Sequence, residues 1–295
     1  MQIKPKLTGT KTWLHPTEWH PESFEAFLQE LEFVVAQGEK MCHLLLFRGQ
    51  ADYRWLLDST FVRWIKENVL GISYLEKLNP DYQSSKQANH LLGELLLYKF
   101  GELTNPSREL RDLASKNPEL DPWFEWMKRI QQYPEEDLGP ILGSFLLDWT
   151  QSWKVATYFA NENRQPEATG AVFIADIDAM GSVLHRDIKV EKMLALLEEA
   201  IYRERAAGCP LVFHPRDQIL QQRAKNQDAV YIAQMDLRYD LTELWVKMME
   251  GNEEDLFFIK LALPSGTVNE CSGWLNKEGI TREWLFPDQI KEKAY

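Results

Sequence analysis

The chain is poor in cysteine, with three in 295 residues. Cys42, Cys209 and Cys271 lie far apart and none belongs to a CxxC pair, so no zinc or redox motif is signalled. A sparse, odd set of thiols points to a reducing compartment. Long hydrophobic runs are missing as well. No window approaches about 18 uninterrupted apolar residues, so no transmembrane helix is expected. The first residues, MQIKPKLTGTKTW, carry no apolar stretch of a secretory signal, and a cytoplasmic location is expected. Basic residues are the minority, 33 Lys and Arg against 45 Asp and Glu, for a net charge of −12. That balance counts against a nucleic-acid partner, which calls for a basic face. GxxxxGK[ST], GxGxxG, GxSxG and HExxH do not occur, and the six histidines show no close pairing. A phosphate-cradling loop, a nucleophile elbow and a zinc site are therefore not signalled, and no metal is expected.

What is present is the composition of a globular protein, 44% apolar and 26% charged. The length suits one large domain or two small ones. Phe24, Phe27, Leu28, Leu31, Val34 and Val35 recur at helical spacing. They predict a helix over 21–36, with Pro21 in its first turn and Gly38 as its stop. MCHLLLFR (41–48) reads as a buried strand ending at Arg48 and broken by Gly49. The stretch 59–132 reads as mainly helical. Three apolar stripes run through it, led by Phe61/Trp64/Ile65, by Leu91 to Phe100 and by Trp123/Trp126/Met127/Ile130. LLDWTQSWKVATYFA predicts a turn at Asp148–Thr150 and then a helix from about Ser152 to Ala160.

The second half changes character. GAVFIADI (170–177), PLVF (210–213), AVYIAQMD (229–236) and DLFFIKLALP (255–264) are β-rich runs, and WLF (284–286) is a last strand-like piece. There is no internal repeat and no clean linker. The expected fold class is α+β: a helical N-terminal half packed on a mostly antiparallel sheet built largely from the C-terminal half.

Four short motifs stand in a fixed order: FRGQ (47–50) with Trp55 after it, LLDWT (146–150), VATYFA (155–160) and LFPD (285–288). Together they resemble the FRG domain family, named for its Phe-Arg-Gly triplet. The resemblance divides the chain into an N-terminal extension (1–22), an FRG domain (23–288) and a C-terminal tail (289–295). Two places depart from the family pattern. The residues before LLDWT are LGPILGSF, without the His and Arg the family carries there, and the usual Q-x-G-x-F reads Gln227-Asp228-Ala229-Val230-Tyr231.

The order of elements is also similar to that of ADP-ribosyltransferases of the Arg–Ser–Glu type, an analogy of motif order. By that resemblance NAD is the expected cosubstrate, with Arg48 and Gly49 at its phosphates. Tyr53, Asp148, Trp149 and Gln227 would help to bind it, and Thr150, Ser152 and Glu283 would form the catalytic set. The implied function is an NAD-dependent mono-ADP-ribosyltransferase-like enzyme acting as a toxin or phage-defence effector, with a macromolecular acceptor of ADP-ribose or a protein partner. The chemistry suits the residues. A guanidinium fork matches phosphate, and Gly49 beside it would leave room for a bulky group. A carboxylate, Glu283 or Asp148, would stabilise the oxocarbenium charge of a breaking nicotinamide–ribose bond.

Plainer readings stand beside these. Arg48 and Asp148 could form a buried ion pair that fixes the fold. Thr150 could be the N-cap of the following helix, and Trp149 and Trp55 could be core. On those readings the protein is a non-catalytic binding or regulatory module, with FRG and LLDWT as framework. The two alternatives differ in whether Arg48 opens to a cavity or is sealed in the core.

Overall fold

The computed structural model of the chain describes residues 18–84, 122–134, 137, 139–179, 184–185, 211–213, 222–234, 238–249 and 258–287, with isolated positions between 91 and 116. The expected extension up to residue 17, the tail, Cys209 and most of the Leu91–Phe100 stripe lie outside the described residues.

The described strands are β1 (Glu18–Trp19), β2 (Leu45–Gln50), β3 (Leu146–Thr150), β4 (Gly170–Asp176), β5 (Leu184–His185), β6 (Leu211–Phe213), β7 (Ala229–Ala233) and β8 (Phe258–Leu263). They form one sheet in the order β1-β8-β4-β2-β3-β7-β6-β5. The β1–β8 and β5–β6 pairs are parallel and the others antiparallel. The chain is α+β. The sheet is mostly antiparallel as expected, but two of its central strands, β2 and β3, come from the first half.

Helices cover both faces. The described helices are α1 (Phe24–Met41), α2 (Thr60–Asn68), α3 (Pro80–Ser84), α4 (Pro122–Gln132), α5 (Trp153–Asn161), α6 (Gln222–Asn226), α7 (Leu241–Met249), α8 (Val268–Lys277) and α9 (Arg282–Leu285). Phe27, Leu31 and Val34 of α1 and Ala156 and Ala160 of α5 pack with Phe47, Val172, Ile174 and Leu261 on one face. Trp245 of α7 packs with Leu46, Trp149, Phe173, Val230 and Phe258 on the other. The helical cover is thus not confined to the N-terminal half. Burial on both faces explains why VFIA and AVYIA read as continuous apolar runs, and why FIKLAL is broken only by Lys260.

Four local expectations are corrected. Ser23 caps α1 by accepting from Ala26 N at 3.1 Å, so Pro21 precedes the helix. Gly38 lies buried inside α1, where a Cβ would come within 2.5 Å of Leu45, and the helix ends at Cys42 in the left-handed conformation (φ 57°). Asp148–Thr150 is strand, not turn, because each residue pairs with β7: Asp148 with Tyr231, Trp149 with Val230, Thr150 with Ala229. WLF is not a strand either. Thr281 accepts from Trp284 N and starts the short helix α9.

Candidate functional site

The FRG triplet divides its work residue by residue. Phe47 is buried core. Gly49 is where α5 meets the sheet. A Cβ there would stand 1.9 Å from the Ala156 carbonyl oxygen and 2.5 Å from Ala160 N. Only glycine lets the helix backbone lie this close to β2. The room expected at Gly49 for a phosphate is therefore filled by α5, and the AxxxA spacing of Ala156 and Ala160 is its complement.

Arg48 points into a cavity. β2 and β3 share one ladder pair, Phe47 with Thr150. Beyond it the Asp148 carbonyl accepts from Arg48 Nη1. The guanidinium meets this backbone oxygen and not the Asp148 carboxylate, so the buried ion pair is not formed. Arg48 Nε and Asp148 Oδ1 are both buried and make no hydrogen bond among the described residues. The cavity beside them measures about 230 Å³, and Arg48, Gly49, Asp148, Trp149, Thr150 and Gln227 all line it. Residues distant in the sequence are thereby brought to one place.

Around this pair the site is polar and ordered. Gln131 donates to Asp148 Oδ2 at 2.9 Å and accepts from the Ser144 hydroxyl at 3.0 Å, which fixes which amide end faces the carboxylate. Burial pulls the Arg48 guanidinium down to about 10, with Asp148 opposing and Arg63 adding to the fall, so it stays protonated at neutral pH. Burial pushes the Asp148 carboxyl above its ordinary range, against the pull of Arg48, the Gln131 hydrogen bond and Arg63. Buried charges with open hydrogen-bonding positions are costly, and such positions concentrate where a ligand is handled.

Sequence reading missed Arg223. It is buried, lines the same cavity, and donates to the Gln132 carbonyl at 2.6 Å. Its guanidinium lies 4.4 Å from the Tyr133 ring centroid and 5.2 Å from that of Phe286. Among the described residues that line the cavity, two guanidiniums accompany one carboxylate. Phe286 also lines it, in edge contact with Phe159 (6.2 Å). The segment bearing Phe286 is tied down by Gln227 Nε2 donating to the Leu285 carbonyl at 3.4 Å and by the Arg282–Glu162 ion pair at 2.7 Å.

The remaining candidates fall elsewhere. Thr150 Oγ1 accepts from Ser152 N at 2.9 Å, and Ser152 Oγ accepts from Val155 N at 3.4 Å. Ser152, not Thr150, is the N-cap of α5, and it does not line the cavity. Trp149 is 2% exposed and packs on Trp245 at 5.5 Å, so its ring serves the core. Tyr53 is outside the cavity lining. Its hydroxyl pairs with His20 Nε2 at 3.2 Å, and Lys260 Nζ lies 3.8 Å over its ring. Glu283 is exposed in the first turn of α9. Its own backbone N–H and the Thr281 hydroxyl hold its carboxyl below the usual range. It is a capping residue outside the cavity. Among the described residues no cluster of His, Cys, Asp and Glu could hold a metal ion, and no helix is long and apolar enough to cross a membrane.

The FRG domain family matches residues 43–169, a span holding β2, β3 and α5 and, with them, Arg48, Asp148 and Gln131. Within that span the chain carries an FRG domain. None of the curated proteins and none of the solved structures matches it.

Proposed function

We propose that the Arg48 cavity binds a phosphate-bearing dinucleotide of the NAD type and supports ADP-ribosyltransferase-like chemistry. The observation that carries this reading is the pair of buried, incompletely bonded groups, Arg48 Nε and Asp148 Oδ1, at one cavity wall. Arg48 and Arg223 are the cations for a pyrophosphate. Asp148, oriented by Gln131, takes the carboxylate role that motif order assigned to Glu283. Breaking the nicotinamide–ribose bond sends the electron pair to the ring nitrogen and leaves oxocarbenium charge on the ribose, which a low-dielectric carboxylate stabilises. The acceptor then bonds to the ribose carbon and gives up its proton. Ligand sites usually span about 300–1,000 Å³, and this cavity of about 230 Å³ suits a sugar–phosphate part of the dinucleotide with the remainder outside.

In this reading the protein works in the cytoplasm as a toxin or phage-defence effector on a macromolecular acceptor. Sparse thiols favour that compartment. The competing framework reading needs Arg48 sealed in the core, and its place in a cavity wall favours a ligand instead.

The test is an NAD titration of the intact chain and of Arg48→Ala, read by calorimetry, melting temperature and nicotinamide release with cell lysate. NAD is expected to raise the melting temperature of the parent, and Arg48→Ala to stay folded and bind at least tenfold more weakly, about 1.4 kcal/mol. Binding without nicotinamide release would make the site a binding module. Neither binding nor release would end the dinucleotide reading.

A further inference from the structure

A second cavity, of about 420 Å³, lies against α2, and its lining includes Trp55, Trp64, Tyr74, Arg63, Glu67 and Leu142. Its volume falls in the ordinary range for small-molecule sites. Three aromatic side chains reach it from three places: the loop after β2, the α2 helix and the loop after α2. All three are half-buried. Among the described residues none of these rings stacks on another ring or makes a side-chain hydrogen bond. The core aromatics behave differently: Trp149 and Trp245 pair at 5.5 Å, and Phe173 and Phe258 at 6.0 Å. Three unpaired rings around one opening leave their stacking capacity to an occupant.

Polar groups stand at the edge of this aromatic lining. Arg63 donates to Thr60 Oγ1 at 3.1 Å through one of its terminal nitrogens. Glu67, one turn further along α2, is exposed and offers acceptor oxygens. A purely apolar ligand would gain nothing from such a rim. A ligand with a flat face and an edge carrying both donors and acceptors would use all of it.

We propose that this cavity binds the planar, nitrogen-bearing heterocycle of a nucleoside. The base stacks on Trp55, Trp64 and Tyr74, Arg63 donates to its ring nitrogen or carbonyl, and Glu67 accepts from its amino group. The proposal goes beyond the dinucleotide reading and does not depend on it. A base can arrive on a free nucleoside or as one end of the dinucleotide, and the chemistry of recognition is the same. The two cavities are nevertheless neighbours in charge and chain. Arg63 interacts electrostatically with Arg48 and Asp148. The segment carrying Leu142 also carries Ser144, which holds Gln131 in the first cavity.

Adenosine, which has no phosphate, is the probe. It is titrated by calorimetry into the full chain and into Trp64→Ala, Trp64→Phe, Tyr74→Ala and Arg48→Ala, with each variant's melting midpoint as a check on folding. Parent, Trp64→Phe and Arg48→Ala are expected to bind alike, and Trp64→Ala and Tyr74→Ala at least tenfold more weakly, the scale of losing one base–aromatic stack. Competition between adenosine and NAD identifies the base end of one ligand, and additive binding identifies a separate nucleoside site. Both support the assignment. Absence of binding at millimolar adenosine overturns it. So does binding that survives in folded Trp64→Ala and Tyr74→Ala but disappears in Arg48→Ala, because the base would then sit in the first cavity.

Discussion

Two arginines near helix α5 show opposite ways of burying a guanidinium. Arg164, just past the C-terminal end of the helix, is surrounded by acceptors. It donates to Asn161 Oδ1 at 2.9 Å, to the carbonyls of Ala168, Leu263 and Pro264 at 3.1, 3.3 and 2.7 Å, and to Thr267 Oγ1 at 3.1 Å. It staples the α5–β4 loop to the end of β8. Arg48, on the strand beneath the helix, makes one side-chain hydrogen bond among the described residues, to the Asp148 carbonyl, and leaves Nε without a partner there. A buried donor left open is expensive to keep. The satisfied arginine belongs to the framework, and the unsatisfied one is the group the proposed ligand would engage.

The strongest break in this contrast comes from replacing each arginine with methionine, which keeps the stem and removes the donors. Arg164→Met strands several carbonyls at about 1–3 kcal/mol each, so a net loss of about 3–5 kcal/mol in urea unfolding is expected. Arg48→Met should cost less than Arg164→Met, about 1–2 kcal/mol, because it frees one carbonyl and removes only the electrostatic pull on Asp148. Equal losses at the two positions would erase the distinction.

Gly49→Ala comes next. Its Cβ would overlap the Ala156 carbonyl, and backbone cannot give way as a side chain can. A loss of about 2–3 kcal/mol is expected, with helix and strand content kept by circular dichroism. A variant as stable as the parent would return Gly49 to a ligand-clearing role.

The smallest effect sharpens the charged half of the comparison. Burial raises the folded-state pKa of Asp148 above the ordinary carboxylate range. Its protonated form therefore favours folding at acid pH, and that contribution is lost as pH rises through the raised value. Asp148→Asn does not ionise. It should melt a few degrees above the parent at pH 7 and converge with it near pH 4, while nicotinamide release falls at least a hundredfold. A lower melting temperature at pH 7 would show that the carboxylate stabilises the fold.

The sequence carried the skeleton of this site because FRG and LLDWT are adjacent central strands, whose apolar runs are visible. It could not carry Arg223, whose partners Gln132 and Phe286 are remote along the chain and follow no period. Glycine in a strand signals close approach without saying what approaches, so a ligand and a helix backbone were equally readable at Gly49. Two hydroxyl residues two apart, Thr150 and Ser152, both fit a cap, and only the end of the β3–β7 ladder decides between them. The segment bearing Glu283 is helix and not strand for a related reason: a short apolar run cannot separate the two.

The first cavity has two walls of different origin. Arg48, Asp148, Gln131 and Thr150 come from the 43–169 span, whereas Arg223, Gln227 and Phe286 come from later chain. A chain that kept the first span and diverged afterwards would retain the charged lever and rebuild the face opposite it. Ligand preference could then drift across relatives with the FRG and LLDWT strands unaltered, and the Gln227–Leu285 tether is where that drift would first be written.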